Sequence, residues 1–383
     1  MPNIITAANS GLSRQALQQK ADKQQVIRLF RGAYVDAQDY AELDPAGQYR
    51  VRAEAFLATH PKLRAWGITA AALEGAPVLS SAALHFTGAT GAAKSRQAGC
   101  VFHEDLPDAP TVNNRIATML FECAITSPLP DVLLAANYLF RRAAVDAGSG
   151  LTAIRDIDEE TTEALLRQPL ADGSKPVKAP GLADVSQLDT SSPGFLEAYS
   201  AARSSDFATP EAELLWMDFA QLCVAFGKRR AIRKALLAGL YFMDQAESPA
   251  ESLLVANCVE LGFAIPLLQV SILDPTSGQF LGRVNGLWPS KTVQAGLFQL
   301  DTEFGRLLYS KQLGDNESII VEFDSQVKYE EDYAEVLEKE RLRQNAIGNL
   351  GFRFVRINWG DLMQPDNLKS IFAAAKVPKA RRG

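Results

Sequence analysis

Paired cysteines are missing from this chain. Its four cysteines, Cys100, Cys123, Cys223 and Cys258, are scattered with no CxxC among them. That spacing argues against both a zinc module and a disulfide framework. Histidine is scarcer still: His60, His85 and His103 all fall in the first third of the chain. A Ser-His or Cys-His catalytic pair confined to the C-terminal half is thereby disfavoured, so hydrolytic chemistry there has to rest on carboxylates, lysine and a metal. No apolar run is long enough to span a bilayer. Met1 to Ser10 lacks the basic and apolar regions of a signal peptide. The expectation is a cytoplasmic protein with no membrane partner.

What is present describes a folded chain of more than one domain. At 383 residues it exceeds one ordinary core, so two or three domains are expected. Hydrophobic residues make up 47% and charged residues 22%, the profile of a globular protein rather than a disordered one. The net charge of -6 weakens a general nucleic-acid reading, because phosphate binding is driven by Lys and Arg. Local clusters run against the total: Lys20, Lys23, Arg28 and Arg31; Lys228, Arg229, Arg230, Arg233 and Lys234; and Lys376, Lys379, Arg381 and Arg382 in the tail. Each by itself reads more readily as a solvated face than as a DNA site.

Residues 12–24 have the pattern of a helix with Ser13 at its N-cap,. V-I-R-L-F-R-G-A-Y-V (26–35) then alternates apolar and basic residues and turns at Gly32. A helix followed by a short hairpin is the end of a winged helix-turn-helix, in which the helix enters a major groove while hairpin cations face phosphates. The DNA-binding candidates are Arg14, Lys20, Lys23, Arg28 and Arg31. A helix-hairpin cap used for protein contact has the same pattern. Helices are expected over 48–60, 66–75, 113–124 and 131–143, with short strands at 83–87 and 98–102,. The hairpin end R-G-A-Y-V, the helix carrying A-A-A-L-E-G, the strands, and the helix opening near N-N-R resemble, in that order, the AbiEi family of antitoxin-like regulators over residues 11–145. The resemblance implies a winged helix that binds DNA, often the protein's own promoter.

Residues 169–194 are rich in Pro, Gly, Ser and Asp and read as a linker or long surface loop,. Helical periodicity resumes over 211–226, breaks at Gly227, and continues in a basic helix over 228–243. Ser248-Pro249-Ala250-Glu251 opens a further helix, with Ser248 at the N-cap, Pro249 at the first position and Glu251 closing a capping box,. Strands follow over 265–274 and 280–289, joined by a turn at Asp274 to Gly278. A strongly apolar strand, S-I-I-V-E-F-D-S (318–325), ends in acids; a helix over 338–350 and a final strand over 352–359 complete the order helix, three strands, helix, strand.

That order resembles the core of the PD-(D/E)xK nucleases, in the branch related to very-short-patch-repair endonucleases. The residues carrying the resemblance are S-P-A-E-S (248–252), G-R-V-N-G-L-W-P (282–289), E-F-D-S-Q-V-K-Y (322–329), E-R-L-R-Q-N-A (340–346) and L-G-F-R-F-V-R-I-N-W-G-D-L (350–362). It implies Mg²⁺ held by Glu251, Asn285, Glu322 and Asp324, with Glu322, Asp324 and Lys328 as the catalytic set. The chemistry is coherent: Mg²⁺ takes hard oxygen ligands and activates a water against a phosphodiester. Glu322 and Asp324, two apart on a strand, point to one face, with Phe323 opposite in the core. Lys328 is placed to stabilise charge developing on the phosphate.

The chain departs from that family at three places. Asn285 stands where the pattern has Asp and lacks the negative charge that a divalent ion wants,. Ser325 replaces a turn glycine,. Residues 290–321, which include Asp301 and Glu303, make a longer insertion than a hairpin needs. The fold expected is an α/β multi-domain chain: a winged helix-turn-helix over 1–38, a mixed α/β middle domain over 39–150, a linker over 151–209, and a restriction-endonuclease-like α/β core over 210–383. Two functions fit it. One is a DNA-binding, metal-dependent endonuclease of defence or repair. The other is a non-enzymatic antitoxin-type regulator whose nuclease-like domain serves DNA contact or a homo-oligomer.

Overall fold

The structure, a computed structural model, describes residues 2–79, 83–88, 99–107, 112–146, 175–177, 185–203, 207, 209–302, 305–324 and 333–380. The chain is mixed α/β and forms two compact units. The first comprises Met1–Leu139 and Leu215–Ala238; the second comprises Phe140–Leu214 and Gly239–Gly383.

The first unit opens with α1 (Ala7–Ser10) and α2 (Arg14–Asp22). Between them Gly11 adopts a φ of 67°, a left-handed conformation that a side chain disfavours. Ser13 caps α2 as its position predicted, accepting a hydrogen bond from the Ala16 amide at 3.1 Å. The hairpin β1 (Val26–Phe30) and β2 (Ala33–Asp36) turns at Gly32, whose φ is 89°. Leu17, Val26 and Tyr34 form a small core beneath the hairpin, with Ile5, Leu12 and Ala21 packed against it. Next come α3 (Ala37–Ala41), α4 (Pro45–Thr59), β3 (Arg64–Ala65), α5 (Gly67–Leu73), β4 (Leu84–Thr87) and β5 (Cys100–Phe102). In this second, three-stranded sheet β3 pairs antiparallel and β5 parallel to β4. Helices α6 (Arg115–Thr126), capped by Asn114, and α7 (Leu129–Asp146) follow.

Within the stretch expected as a linker, β6 (Lys175–Pro176) and α8 (Phe195–Ala201) take regular structure. The chain then enters α9 (Pro210–Ala225) and α10 (Ile232–Gly239), which supply the first unit's second segment. Phe226, just beyond α9, packs on Phe121 of α6 with ring centroids 5.3 Å apart. The basic helix expected over 228–243 is shorter, because turns occupy 226–231 before α10 begins.

The second unit is built on a seven-stranded mixed sheet in the order β12-β11-β8-β7-β10-β9-β6. Helix α11 (Pro249–Leu261) leads into it, capped by Ser248 with Pro249 in its first turn. Strands β7 (Leu267–Leu273) and β8 (Phe280–Trp288) pair antiparallel. Their turn is closed by Asp274, whose carboxylate accepts from the amides of Thr276 and Ser277. The insertion at 290–321 becomes α12 (Lys291–Ala295) and the hairpin β9 (Leu297–Thr302) and β10 (Gly305–Ser310). Strand β10 joins β7 in parallel, so the insertion widens the sheet on the far side of β7. Strand β11 (Ile319–Phe323) pairs antiparallel with β8 and parallel with β12 (Arg353–Ile357), the crossover being α13 (Tyr333–Asn349). Short α14 (Trp359–Leu362) and α15 (Pro365–Ala374) close the unit.

Its core includes Leu267, Val270, Ile272, Val284, Leu287, Ile320 and Ile347. Each such side chain stabilises the unit by about 1.5–3 kcal/mol on leaving water. Close approaches demand glycine: a Cβ on Gly351 would lie 2.6 Å from the Gly314 carbonyl oxygen.

Candidate functional site

A cleft of about 790 Å³ opens in the second unit, lined by residues of α11, β7 and β8, the end of β11 and the start of α14. Glu251, in the first turn of α11, is 1% exposed. Its Oε1 accepts from Ser248 Oγ at 3.0 Å and Gln269 Nε2 at 2.9 Å, and its Oε2 from the Glu247 amide at 2.7 Å. Burial drives its pKa up, and the neighbouring Glu247 charge adds to this; the three hydrogen bonds offset part of it. The outcome is a pKa of about 7. The capping role expected for Glu251 is thus joined by a second partner from the sheet. Gln269 reaches it from a backbone φ of 56° in the middle of β7, a strained conformation for a non-glycine residue that tends to accompany ligand sites.

The acids ending β11 are each held by an arginine. Glu322 is 8% exposed, and its Oε1 lies 3.2 Å from Arg343 Nη2 of α13. Asp324, exposed beyond the strand end, pairs with Arg356 Nη1 of β12 at 3.0 Å. Arg356 also bonds the Gln344 side chain. Asn285 turns its Oδ1 to the amide of Phe323 at 3.2 Å. Phe323, expected in the core, is half-buried and lines the cleft. Glu247 sits between Arg283 at 3.4 Å and Arg141 at 3.8 Å.

Of the four expected metal ligands, Glu251, Asn285 and Asp324 line this one cleft, while Glu322 does not. Lys328 and Ser325 lie outside the described residues, as does Glu303; Asp301 has only its backbone described, in β9. Among the described residues no three His, Cys, Asp or Glu side chains group in a way that would hold a metal ion. As arranged, the residues do not fit Mg²⁺. Two carboxylates already carry guanidinium counter-charges, Asn285 supplies none, and Glu251 has three donors on its oxygens. A cation in the cleft would have to compete with Arg356 for Asp324, the paired carboxylate that lines it,.

In the first unit, Arg14, Lys20, Lys23, Arg28 and Arg31 are all exposed on the α2 and β1–β2 module. Arg14 opens α2, Lys20 lies in its last turn and Lys23 is its C-cap; Arg28 lies on β1 and Arg31 in the hairpin turn. A separate cleft of about 850 Å³ in this unit is lined by Arg64, Asn114, Glu122 and Phe226 among others. Glu122 is 1% exposed and accepts from Arg64 at 3.2 Å and from the Gly67 amide at 3.0 Å. Burial raises its pKa, and those bonds oppose the rise.

Sequence reasoning passed over Gln269, Arg343, Arg356 and Glu122. The only signal for Glu122 was one acid inside the apolar run M-L-F-E-C-A. Arg343 and Arg356 fall within the segments 340–346 and 350–362 that carry the nuclease resemblance, but nothing in their spacing along the chain pairs them with the acids ending β11. Comparison with models of known families, with characterised proteins and with solved structures finds no match for this chain.

Proposed function

We propose that this protein binds DNA through a winged helix formed by α1, α2 and the β1–β2 hairpin. In this reading the second unit is a restriction-endonuclease-like core that contacts its target without hydrolysing it. The observation that carries the non-cleaving part is the pairing of both β11 acids, Glu322 with Arg343 and Asp324 with Arg356. Charge that a nuclease would leave for a divalent ion is here balanced by the protein's own cations. The nuclease-like descent is supported by the order of elements, α11, β7, β8, β11, α13 and β12, interrupted only by the α12–β9–β10 insertion. The DNA-binding part is supported by five exposed cations on one small helix-hairpin module, set on a chain of net charge -6. The protein is, in this proposal, an antitoxin-type regulator acting on its own promoter.

The test has two arms. Gel-shift titration against the upstream DNA should show binding that weakens in Arg28→Ala/Arg31→Ala, with a shallower salt slope by about 2 for two lost phosphate contacts. Plasmid DNA incubated with Mg²⁺ or Mn²⁺ should remain intact. The competing reading, a metal-dependent endonuclease, draws on the convergence of Glu251, Asn285 and Asp324 on one cleft. Cleavage by the wild type that is lost in both Glu322→Ala and Lys328→Ala would establish it instead.

A further inference from the structure

A second concentration of positive charge lies in the first unit, away from the helix-hairpin module in sequence. Lys228, Arg229, Arg230, Arg233 and Lys234 are all exposed. No Asp or Glu occurs anywhere from 227 to 243. Its placement is only partly explained by helix electrostatics. Lys228, Arg229 and Arg230 follow the C-terminus of α9, where a helix dipole favours cations,. Arg233 and Lys234 fall in the first turn of α10, where the helix dipole favours anions and each cation costs about 0.3–1 kcal/mol,. Like charges crowded into one short stretch add to that cost. Fold stability therefore does not account for the whole cluster.

The segment is also held in place. Consecutive turns join it, from the Arg229 amide to the Phe226 carbonyl at 2.9 Å and from the Ile232 amide to the Arg229 carbonyl at 3.1 Å. The Arg229 guanidinium stacks 5.4 Å above the Phe226 ring, and Phe226 is in turn packed on Phe121. A preorganised row of cations loses less entropy on binding a polyanion than a frayed tail does.

We infer that residues 228–234 are a second contact for the sugar-phosphate backbone of duplex DNA. The inference rests on the DNA-binding reading of the same unit. It extends that reading from one module to two within the first unit. DNA is favoured over other polyanions because its phosphates are dense and regular. A chain of net charge -6 repels such a polymer except where cations are gathered, and gathered cations draw it in by releasing its counterions.

The experiment measures fluorescence anisotropy of a labelled duplex with the full chain across a salt series. The variant Lys228→Gln/Arg230→Gln/Arg233→Gln spares the stacked Arg229. Three lost phosphate contacts should make the slope of log K against log salt shallower by about 2.7, so that between 50 and 200 mM salt the wild type loses roughly 40-fold more affinity than the variant. Arg230→Lys/Arg233→Lys should keep the wild-type slope, because charge is retained. The glutamine variant should unfold at the same urea concentration as wild type or a higher one, which a merely structural role for these cations would not allow. Unchanged slope and affinity in the glutamine variant, with binding still sensitive to Arg28→Ala/Arg31→Ala, would overturn this inference and leave the winged-helix reading standing. Absence of duplex binding by the wild type would overturn both. Patch-dependent binding to phosphatidylserine vesicles without duplex binding would reassign the patch to a membrane surface.

Discussion

Glu251 should make the second unit less stable as pH rises through neutrality. Its carboxyl is 1% exposed and its pKa is raised from 4.5 to about 7. Below about pH 4.5 the group is protonated in both the folded and unfolded chain and contributes nothing. Between 4.5 and 7 the unfolded chain releases the proton while the folded unit keeps it. Stability therefore falls as pH rises across that window and levels off above 7. At roughly 1.4 kcal/mol for each pH unit the raised pKa spans, the loss is on the order of 3 kcal/mol. Glu251→Gln removes the ionisation and leaves the Gln amide oxygen to accept from Glu247. Its amide nitrogen can donate to Ser248, provided the Gln269 amide turns over. Urea unfolding of wild type and Glu251→Gln at pH 5 and pH 8 should show the variant gaining about 3 kcal/mol relative to wild type between the two. Taking the difference cancels every titration the two proteins share. A relative stability that stays constant within about 0.5 kcal/mol across that range would refute the claim that this carboxylate is penalised by its burial.

The arginine pairs make further predictions. Glu322→Ala removes the counter-charge of a half-buried guanidinium and should destabilise the unit by about 3 kcal/mol, whereas Glu322→Ala/Arg343→Leu should recover most of that loss; a double-variant loss equal to the sum of the losses in Glu322→Ala and Arg343→Leu alone would mean that the two side chains are not coupled. Asn285→Asp keeps an oxygen for the Phe323 amide while adding charge beside the β11 acids. If it binds Mg²⁺ with a Kd near 1 mM, about 10 mM of the ion should raise its unfolding temperature by roughly 3 °C and leave wild type unmoved. Gly351→Ala would put a methyl group 2.6 Å from the Gly314 carbonyl oxygen at a φ of 94°; calorimetry should show a cost of about 3 kcal/mol, combining overpacking with backbone strain.

Residues that act on near neighbours were legible in the sequence. Ser13 and Ser248 cap the helices their positions predicted, because a cap bonds an amide three residues on. The hairpin turn at Gly32 and the Asp274 turn follow from the same short range. The apolar run at 318–323 reads as a buried strand, and β11 lies between β12, parallel to it, and β8, antiparallel to it. The insertion was harder. Residues 290–321 gave no sign of joining the far side of β7, since strand neighbours are set by which edge is left open rather than by local pattern.

The site itself shows where the sequence stops. It named Glu251, Asn285, Glu322 and Asp324, and three of them do line one cleft. What it could not supply is their electrostatic state. Arg343 lies 21 residues from Glu322, Arg356 lies 32 from Asp324, and Gln269 lies 18 from Glu251. Read along the chain, none of those side chains shows which acid it will meet. Only the crossover of α13 and the parallel pairing of β12 bring the guanidinium groups to the acids. The sequence by itself determined the elements that line the cleft and the residues available there, because both are local properties. Tertiary structure decided whether the acids remain free charges, because a carboxylate's charge balance depends on whatever the fold places within a few ångströms.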